Sequence, residues 1–583
     1  MANLILDNNT RTFISDFMIT EKSPQVQFEH FVNYCVITKL YNDAYNSDRQ
    51  FYEYVHTGSG GDLGIDGILV TINDIIVSNK DEFDDVYKLN PHITPRFIFI
   101  QAKTSSEFAT GDMLKTGSGV LSMFAFGEEH TYNDKVEKKF KLIKHIFDKS
   151  YDFSENPECL IYYVTQGKWA ADVNQTTAKT NIEKQLYALG VFSNVEFRAI
   201  DAEELMQISR EINNQIVKVL PFSKRTSFPT IKDVSEAYLG LVGAQDYIDL
   251  ITDKNKDLQR SLFYENVRGF LGDNPVNSEI ESTLKDPSKR GKFPIFNNGV
   301  TIVSRSMMTT GDNVKLTDFQ IVNGCQTSNV LYKNRSVIDN TVMIPVKLIA
   351  TTDTEVIADV VKSTNRQTYV ALETFESLKP FHKKLQDYYR ALEAKYQLYY
   401  ERRMNEYSAA NGVRVKKYQI ITLASQLKTV ISMFWSDPHS THRYYGELLK
   451  AYYNNNRIFQ ENHVMDFYYV SALTMYNVET AFYQGIVSSK YKPYRFHLLL
   501  VLRILFLKKD QVARLNSHDM ERDCQTIINA LSDKKLFEIK IRQASSIIDY
   551  CLKNTKLIAK HQATLDRRKE FTQEIIDATK ASV

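Results

Sequence analysis

Gly64-Ile-Asp-Gly-Ile-Leu-Val70 and Phe97-Ile-Phe-Ile-Gln-Ala-Lys103 decide how the first part of this 583-residue chain is interpreted. Each contains an apolar run of strand length, so we predict neighbouring buried strands over 65–77 and 96–103. Asp66 opens the first strand. Gln101 and Lys103 close the second at alternate positions, and they therefore lie on one face of it. The pattern predicts a carboxylate, a carboxamide and an ammonium close together at the strand ends.

This combination of side chains suits the hydrolysis of a phosphodiester. A carboxylate and a nearby oxygen ligand hold a divalent cation, Mg²⁺ or Mn²⁺, which polarises the phosphate and acidifies a water. The ammonium of Lys103 would lie where negative charge develops. Asp66 and Gln101 are the expected metal ligands, and the further ligand is Glu29, on a helix predicted near 24–46, or Asp62, in the glycine-rich stretch before Asp66.

A purely structural interpretation of the same residues stays open. Asp66 would then cap a turn, and Lys103 would extend from a strand end into solvent. Glu29 would be an ordinary solvated charge at the edge of an apolar helix face.

The two strand motifs and the helix acid resemble the PD-(D/E)xK nuclease superfamily, in its Mrr-like branch, where Gln replaces the Glu of the last motif. The resemblance covers about residues 20–170. It implies a restriction-endonuclease-like α/β fold for residues 1–220. It also implies that the catalytic residues are Asp66, Gln101, Lys103 and Glu29. Because a carboxamide is a weaker ligand than a carboxylate for a hard cation, such a site depends on Asp66 and on Glu29 or Asp62 for charge.

The length of 583 residues predicts two to four domains, and the 43% of hydrophobic residues predicts ordinary packed cores. No apolar run approaches the length of a membrane span, and we expect a cytosolic protein. We therefore expect no membrane partner. The five cysteines have no metal-binding spacing, which predicts reduced core residues. They are Cys35, Cys159, Cys325, Cys524 and Cys551.

Charge is distributed unevenly along the chain. Residues 1–220 contain 21 Lys+Arg and 31 Asp+Glu, a formal charge of −10, whereas the remainder contains 51 and 39, a formal charge of +12. If the chain binds nucleic acid, we expect the C-terminal two thirds to supply most of the attraction to phosphates. The alternative is that the charge blocks only keep the domains soluble or dock them to each other.

The order of predicted elements indicates a multidomain protein. Strands and helices alternate over 1–220, and the Gly-, Ser- and Thr-rich segment 104–129 is expected to be a loop over the cleft. A segment with two prolines, Leu220–Pro229, marks a boundary. We predict an α+β middle domain over 230–415 and a mostly α-helical C-terminal region over 416–583, in which frequent tyrosines are interpreted mainly as packing residues.

Four polar motifs cluster in the middle domain, at 262–268, 293–302, 320–328 and 363–367. Carboxamides both donate and accept hydrogen bonds, and glycines in tight turns aim backbone N–H groups at an anion, so the cluster predicts a binding pocket. Hairpin turns with structural polar networks are the alternative. The expected ligand-binding residues are Arg268, Asn297, Asn298, Asn323, Gln326, Asn365 and Gln367.

The four motifs, together with Tyr400-Glu-Arg-Arg403, resemble the AIPR family, named for abortive infection and phage resistance in bacteria. The resemblance covers about residues 230–440. It implies a role in antiphage defence and leaves the reaction open.

These expectations combine into a cytosolic antiphage endonuclease that hydrolyses nucleic acid, with DNA favoured over RNA. Its middle domain would sense or grip nucleic acid or a nucleotide. The rival hypothesis is a sensor protein whose nuclease-like domain is inactive. Self-association as a homodimer and a nucleotide or phage-derived trigger are the further partners that the sequence leaves open.

Overall fold

The computed structural model divides the chain into two units. The first comprises Met1–Asp7, Phe28–Tyr45 and Tyr52–Phe375, and the second comprises Asn8–Gln27, Asn46–Phe51 and Glu376–Val583. The structure describes residues 4–41, 44–45, 50–58, 60–90, 92–126, 132–213, 216–253, 256–263, 275–364, 376, 379–396, 398–402, 406–407, 415–453 and 455–583.

A five-stranded mixed sheet organises the N-terminal part of the first unit. Its strands lie in the order β2-β1-β3-β4-β5. In chain order they are β1 (Gly67–Ile72), β2 (Ile75–Ile76), β3 (Pro95–Lys103), β4 (Glu158–Thr165) and β5 (Asn194–Ile200). β1 pairs antiparallel with β2 and β3, whereas β3, β4 and β5 are parallel. Every residue of β1 is buried, as its uninterrupted apolar run predicts. The two expected strands are thus adjacent, but the single strand predicted over 65–77 is wrong: Asn73 and Asp74 adopt positive φ in a turn, and β2 folds back antiparallel on β1.

Eight helices are described in the N-terminal part of the chain. They are α1 (Leu4–Asp16), α2 (Pro24–Leu40), α3 (Phe51–Val55), α4 (Lys80–Leu89), α5 (Thr110–Ser122), α6 (Asp134–Phe147), α7 (Val173–Tyr187) and α8 (Ala202–Asn213). Side-chain caps define where three of them begin: Asn79, Asn133 and Asp172 accept hydrogen bonds from first-turn N–H groups of α4, α6 and α7.

Helix α5 corrects the expectation that residues 104–129 form a loop over the cleft. Its glycines allow close packing rather than a loop. A Cβ on Gly117 would lie 2.6 Å from Ile182, and one on Gly119 would lie 2.1 Å from the carbonyl oxygen of Leu63. The small residues therefore let α5 approach α7 and the segment before Asp66.

A six-stranded sheet forms the second part of the first unit, in the order β6-β10-β9-β11-β8-β7. In chain order its strands are β6 (Val217–Pro221), β7 (Lys224–Ser227), β8 (Glu236–Gly243), β9 (Val300–Thr310), β10 (Asn313–Asn323) and β11 (Met343–Ala350). Neighbours are antiparallel except β9 and β11, which are parallel. Because β6 and β7 precede residue 230, the sheet of the middle region begins earlier in the chain than the predicted domain does.

Among the described residues, five helices accompany this sheet: α9 (Ala244–Ile251), α10 (Pro275–Lys285), α11 (Phe293–Phe296), α12 (Cys325–Lys333) and α13 (Thr354–Thr364). One face of the sheet packs into a large apolar core that includes Ile302, Leu316 and Leu348. A smaller apolar cluster contains Val322 of β10 and Val361 of α13.

The second unit is almost purely helical from residue 417 onward, as expected. After α14 (Pro380–Tyr396) and the short paired strands β12 (Tyr399–Glu401) and β13 (Ile420–Thr422) come α15 to α22. These are Leu423–Phe434, Tyr445–Tyr453, Asp466–Tyr483, Arg495–Leu507, His518–Ser532, Lys534–Asn554, Ile558–His561 and Lys569–Ala581. Tyr468 and Tyr469 are fully buried, which confirms packing as their role.

Two predictions from composition can be compared with the structure. All five cysteines are free thiols and buried. Within the described ranges, no helix combines the length and the apolar character that crossing a membrane would require.

Candidate active site

Asp66 is held by backbone hydrogen bonds directly before β1. Its N–H donates to the carbonyl oxygen of Ile100 at 2.8 Å. Its carbonyl oxygen accepts from Asn33 Nδ2 and from the N–H of Thr57, both at 3.1 Å. A Cβ at residue 67 would lie 2.3 Å from Asn33 Oδ1, so only glycine at this position lets Asn33 reach Asp66. The site therefore begins with a rigid backbone position.

The Asp66 carboxylate is buried, with 5% of the residue exposed. Its Oδ2 accepts hydrogen bonds from Gln101 Nε2 and, at 2.9 Å, from the N–H of Ala102. Burial and then the negative charge of Glu29 raise the pKa of Asp66 to about 8, against the opposing effects of the Ala102 N–H and of Lys103. The carboxylate lies where a positive charge would be strongly favoured.

Glu29 is also buried, with 3% of the residue exposed, so it is no solvated helix charge. His56 Nε2 lies 2.8 Å from Glu29 Oε2. A Cβ on Gly58 would lie 2.9 Å from Glu29 Oε2 and 3.3 Å from Asp66 Oδ1. The two carboxylates therefore face the same small space, which the missing side chain of Gly58 leaves open.

Asp62 has a different role from Glu29. Its Oδ1 accepts a hydrogen bond at 2.9 Å from the N–H of Gly64, a residue in the left-handed region with φ +70°. This is a turn stabilised by an aspartate side chain. Asp62 raises the pKa of Asp66 less than Glu29 does. Of the two candidates for the further ligand, the geometry favours Glu29.

Gln101 and Lys103 lie on one face of β3, as their spacing predicts. Gln101 is 3% exposed, and its buried Oε1 accepts no hydrogen bond from any residue that the structure describes. Lys103 is half-buried at the end of the strand. A buried acceptor without a donor costs free energy unless a further group satisfies it. The Gln101 oxygen thus marks a place for a cation or a water.

The donor atoms present here fit a hard divalent cation. Asp66 Oδ1, Glu29 Oε2 and Gln101 Oε1 are buried oxygens, the ligand type that Mg²⁺ and Mn²⁺ prefer. In the described part of the chain, no group of three or more His, Cys, Asp or Glu side chains is arranged to hold a metal ion. The two carboxylates alone supply two protein ligands, and a third would come from the carboxamide of Gln101, whose Nε2 faces Asp66 Oδ2 and whose Oε1 lies near Gly64.

Sequence reasoning missed three residues that build this site. Asn33 lies one helical turn after Glu29, and His56 lies two residues before Gly58, so both had a local signal in their spacing. The third residue is Lys135 on α6, whose Nζ lies 3.3 Å from His56 Nδ1. Nothing local in the sequence connects Lys135 to this site.

Three of the four polar motifs of the middle region are in contact with one another. Asn297 Oδ1 accepts from the N–H of Gly299 at 2.8 Å, and Asn297 Nδ2 donates to Thr327 Oγ1 at 3.1 Å. The second and third motifs are therefore in contact. Asn298 is exposed beside them.

The third motif also reaches the fourth. Asn323 Nδ2 donates to the carbonyl oxygen of Thr364 at 2.9 Å, and Gln326 Oε1 accepts from Asn277 Nδ2 at 2.9 Å. Gly324 adopts φ +101°, and a Cβ there would lie 3.1 Å from the carbonyl oxygen of Gly299. Three motifs thus meet where β10 ends and β9 begins. The remaining predicted ligand-binding residues lie outside the described part of the chain: Arg268, Asn365 and Gln367.

Comparison with known proteins gives one match. A family model described as AIPR protein matches residues 263–564, just over half of the chain. The match includes the middle-region motifs and continues through most of the helical region, well past residue 440, where the resemblance was expected to end. No curated protein and no solved structure matches the chain. The chain therefore belongs to the AIPR family, whose name denotes abortive infection and phage resistance, and this membership indicates a role in phage defence.

Proposed function

We propose that this protein is a metal-dependent endonuclease of antiphage defence that hydrolyses phosphodiester bonds, with DNA favoured over RNA. The observation that carries the proposal is the convergence of two buried carboxylates, Asp66 and Glu29, on the space that Gly58 leaves open. Burying two carboxylates face to face is costly, and either a proton or a bound cation relieves the repulsion.

Each side chain has a distinct role in this proposal. Asp66, Glu29 and Gln101 would hold Mg²⁺ or Mn²⁺, and the bound ion supplies polarisation of the scissile phosphate and acidification of a water. The N–H of Ala102 and Gln101 Nε2 fix Asp66 Oδ2, so that Oδ1 stays directed toward Glu29. Lys103 would orient the attacking water and stabilise the charge that develops on the phosphate.

The arrangement of elements supports a restriction-endonuclease-like fold for this part of the chain. An acid on α2, an aspartate before β1 and Gln-x-Lys at the end of the adjacent β3 follow the order of the PD-(D/E)xK motifs. The register pairs Gly67 with Ile100, which brings the residue before Gly67 next to Gln101.

We further propose that the middle region senses or grips nucleic acid or a nucleotide. Three of its four polar motifs adjoin at one end of β9 and β10, beside the exposed Asn298. The formal charge of +12 beyond residue 220, which is shared between the middle region and the helical region, would attract phosphates over a distance, most strongly at low salt.

The direct test incubates the purified full chain with plasmid DNA and with RNA in Mg²⁺, in Mn²⁺ and in excess chelator. We expect cleavage only with a divalent cation. Asp66→Asn, which keeps the shape of the side chain and removes its charge, should lower the rate by at least about 10²-fold. Asp148→Asn, at an exposed residue after α6, is the matched control and should cleave like the parent.

The rival function is a sensor whose nuclease-like domain is inactive, and it draws support from the carboxamide at position 101. If the parent binds nucleic acid in a salt-dependent way but cuts neither substrate with either metal, the sensor hypothesis replaces the nuclease. If Asp66→Asn cuts like the parent, Asp66 is not part of the cleavage site and the proposed metal site is wrong.

A further inference from the structure

A chain of polar contacts leads from the protein surface to the Glu29 carboxylate. Lys135 Nζ lies 3.3 Å from His56 Nδ1, and His56 Nε2 lies 2.8 Å from Glu29 Oε2. An ammonium can only donate hydrogen bonds, so Nδ1 is the acceptor of a neutral imidazole and the ring proton is on Nε2. These contacts select the tautomer in which His56 donates to Glu29.

The surroundings of His56 hold its ring in one orientation. The residue is 4% exposed, and its ring centroid lies 4.4 Å from that of His30. His30 in turn packs edge-on against Tyr52 at 5.1 Å. A ring packed in this way cannot turn away from Glu29 without disturbing its neighbours.

The backbone next to Lys135 is anchored at the start of α6. Lys135 follows the N-cap residue of α6, Asn133, by two positions. Asn133 Nδ2 donates to the carbonyl oxygens of Thr57 at 2.9 Å and Gly60 at 3.0 Å. The N–H of Asn133 donates to the carbonyl oxygen of Gly61 at 3.2 Å. The start of α6 is thus attached to the glycine-rich segment that lies between His56 and Asp66.

We propose that His56 is a positioning residue for divalent-cation binding, which orients the Glu29 carboxylate toward Asp66, and that Lys135 selects the tautomer of His56. The inference rests on the proposed function. A hydrogen bond to one lone pair of Glu29 Oε2 fixes the carboxylate and leaves its other lone pairs available to a cation. Losing a partner of this kind typically lowers metal affinity by about 10- to 100-fold.

The test measures binding of Mn²⁺ to the full chain without nucleic acid, by the loss of the free-ion signal in electron paramagnetic resonance. We expect His56→Ala to weaken binding about 10- to 100-fold. His56→Gln, whose amide nitrogen can donate from nearly the same place as Nε2, should keep most of the affinity. The thermal midpoint without metal, measured for each variant, reports whether the fold is intact.

Lys135→Met tests the tautomer step and avoids a substitution in the core. It should weaken Mn²⁺ binding by a smaller factor than His56→Ala, about 2- to 10-fold, which is below the range expected for loss of the direct partner. Lys138→Met is the matched control, because Lys138 is exposed on the same helix. It should bind Mn²⁺ like the parent.

The outcomes separate this inference from the function on which it rests. If the parent and Asp66→Asn both fail to bind Mn²⁺, the proposed function falls and the inference falls with it. If the parent binds, Asp66→Asn does not, and folded His56→Ala binds like the parent, only the inference is overturned. If His56→Gln is as weak as His56→Ala, the donated hydrogen bond is not what matters, and the inference is again overturned.

Discussion

The two polar clusters of the first unit use their hydrogen-bonding groups in different ways. Around Asp66, two buried carboxylates face one space, and Gln101 Oε1 accepts no hydrogen bond from a described residue. In the middle cluster, the carboxamides of Asn297 and Asn323 already bind Thr327 and the backbone of Thr364. The first cluster therefore has polar groups available to a ligand. In the second cluster, these carboxamides already form hydrogen bonds between segments of the chain.

This difference separates the expected effects of substitution. Changes around Asp66 should lower metal binding and cleavage while the protein stays folded. Changes in the middle cluster should lower the free energy of unfolding first, because their hydrogen bonds and glycine conformations hold three motifs together.

The largest effect is expected from Lys103→Met, which keeps the aliphatic stem and removes the ammonium. Cleavage should slow by about 10²- to 10³-fold, because a charge that stabilises the transition state is lost. Mn²⁺ affinity should change little, since a lysine is no metal ligand. Rates of plasmid cleavage under single-turnover conditions measure this effect.

Lys141→Met is the control for that substitution, because the Lys141 side chain is 65% exposed on α6. A Lys103→Met protein that cleaves as fast as this control would remove Lys103 from the site.

The next effect concerns Gly324→Ala in the middle cluster. Residue 324 adopts φ +101°, and a Cβ there would lie 2.8 Å from Val300 Cγ2, so we expect a loss of about 1–3 kcal/mol in the free energy of unfolding. Gly311→Ala is the matched control: φ there is also positive, at +58°, but nothing lies within 4 Å of the added Cβ. Denaturant titration of both variants measures the difference. Equal stabilities would show that residue 324 is not crowded.

Gly58→Ala should produce the opposite pattern, with function affected more than stability. The added Cβ would lie 2.9 Å from Glu29 Oε2 and 3.0 Å from His56 Nε2, so these side-chain ends must shift slightly and the contact between them is disturbed. We expect a loss of about 10-fold in Mn²⁺ affinity, comparable to losing a supporting contact. The free energy of unfolding should change by less than about 1 kcal/mol. A larger loss of stability with normal Mn²⁺ affinity would reverse the comparison between the two clusters.

The smallest effect is expected from Asn297→Ala. The substitution removes one hydrogen bond to Thr327 and the bond to the N–H of Gly299, and should cost about 1 kcal/mol in the free energy of unfolding. Asn298→Ala, at the exposed neighbour, should cost less than about 0.5 kcal/mol. Chemical denaturation distinguishes the two variants. If Asn298→Ala is the more destabilising, the turn has been assigned to the wrong asparagine.

The strands of the N-terminal sheet could be predicted because β1 and β3 are continuous apolar runs, with Gln101 and Lys103 at alternate positions of β3. Helix α5 could not, because its glycines are typical of loops. Only the structure shows that Gly117 and Gly119 allow close packing of α5 against other segments.

The candidate site was predictable to a similar extent. Asp66 and Gln101 lie on paired strands, so the register that joins them follows from the sequence pattern. The pairing of Glu29 with His56 depends on how α2 packs beside the glycine-rich segment, and Lys135 comes from a helix far along the chain. Such contacts are set by tertiary packing, which local periodicity does not encode.

The most direct test of the metal-site assignment is a crystal structure of the full chain grown with Mn²⁺, with anomalous scattering used to locate the ion. We expect a Mn²⁺ peak within bonding distance of Asp66 Oδ1 and Glu29 Oε2, with the carboxamide of Gln101 as the third protein ligand, and no such peak in crystals of Asp66→Asn. An ordered site without a peak at saturating Mn²⁺, or a peak that persists in Asp66→Asn, would contradict it.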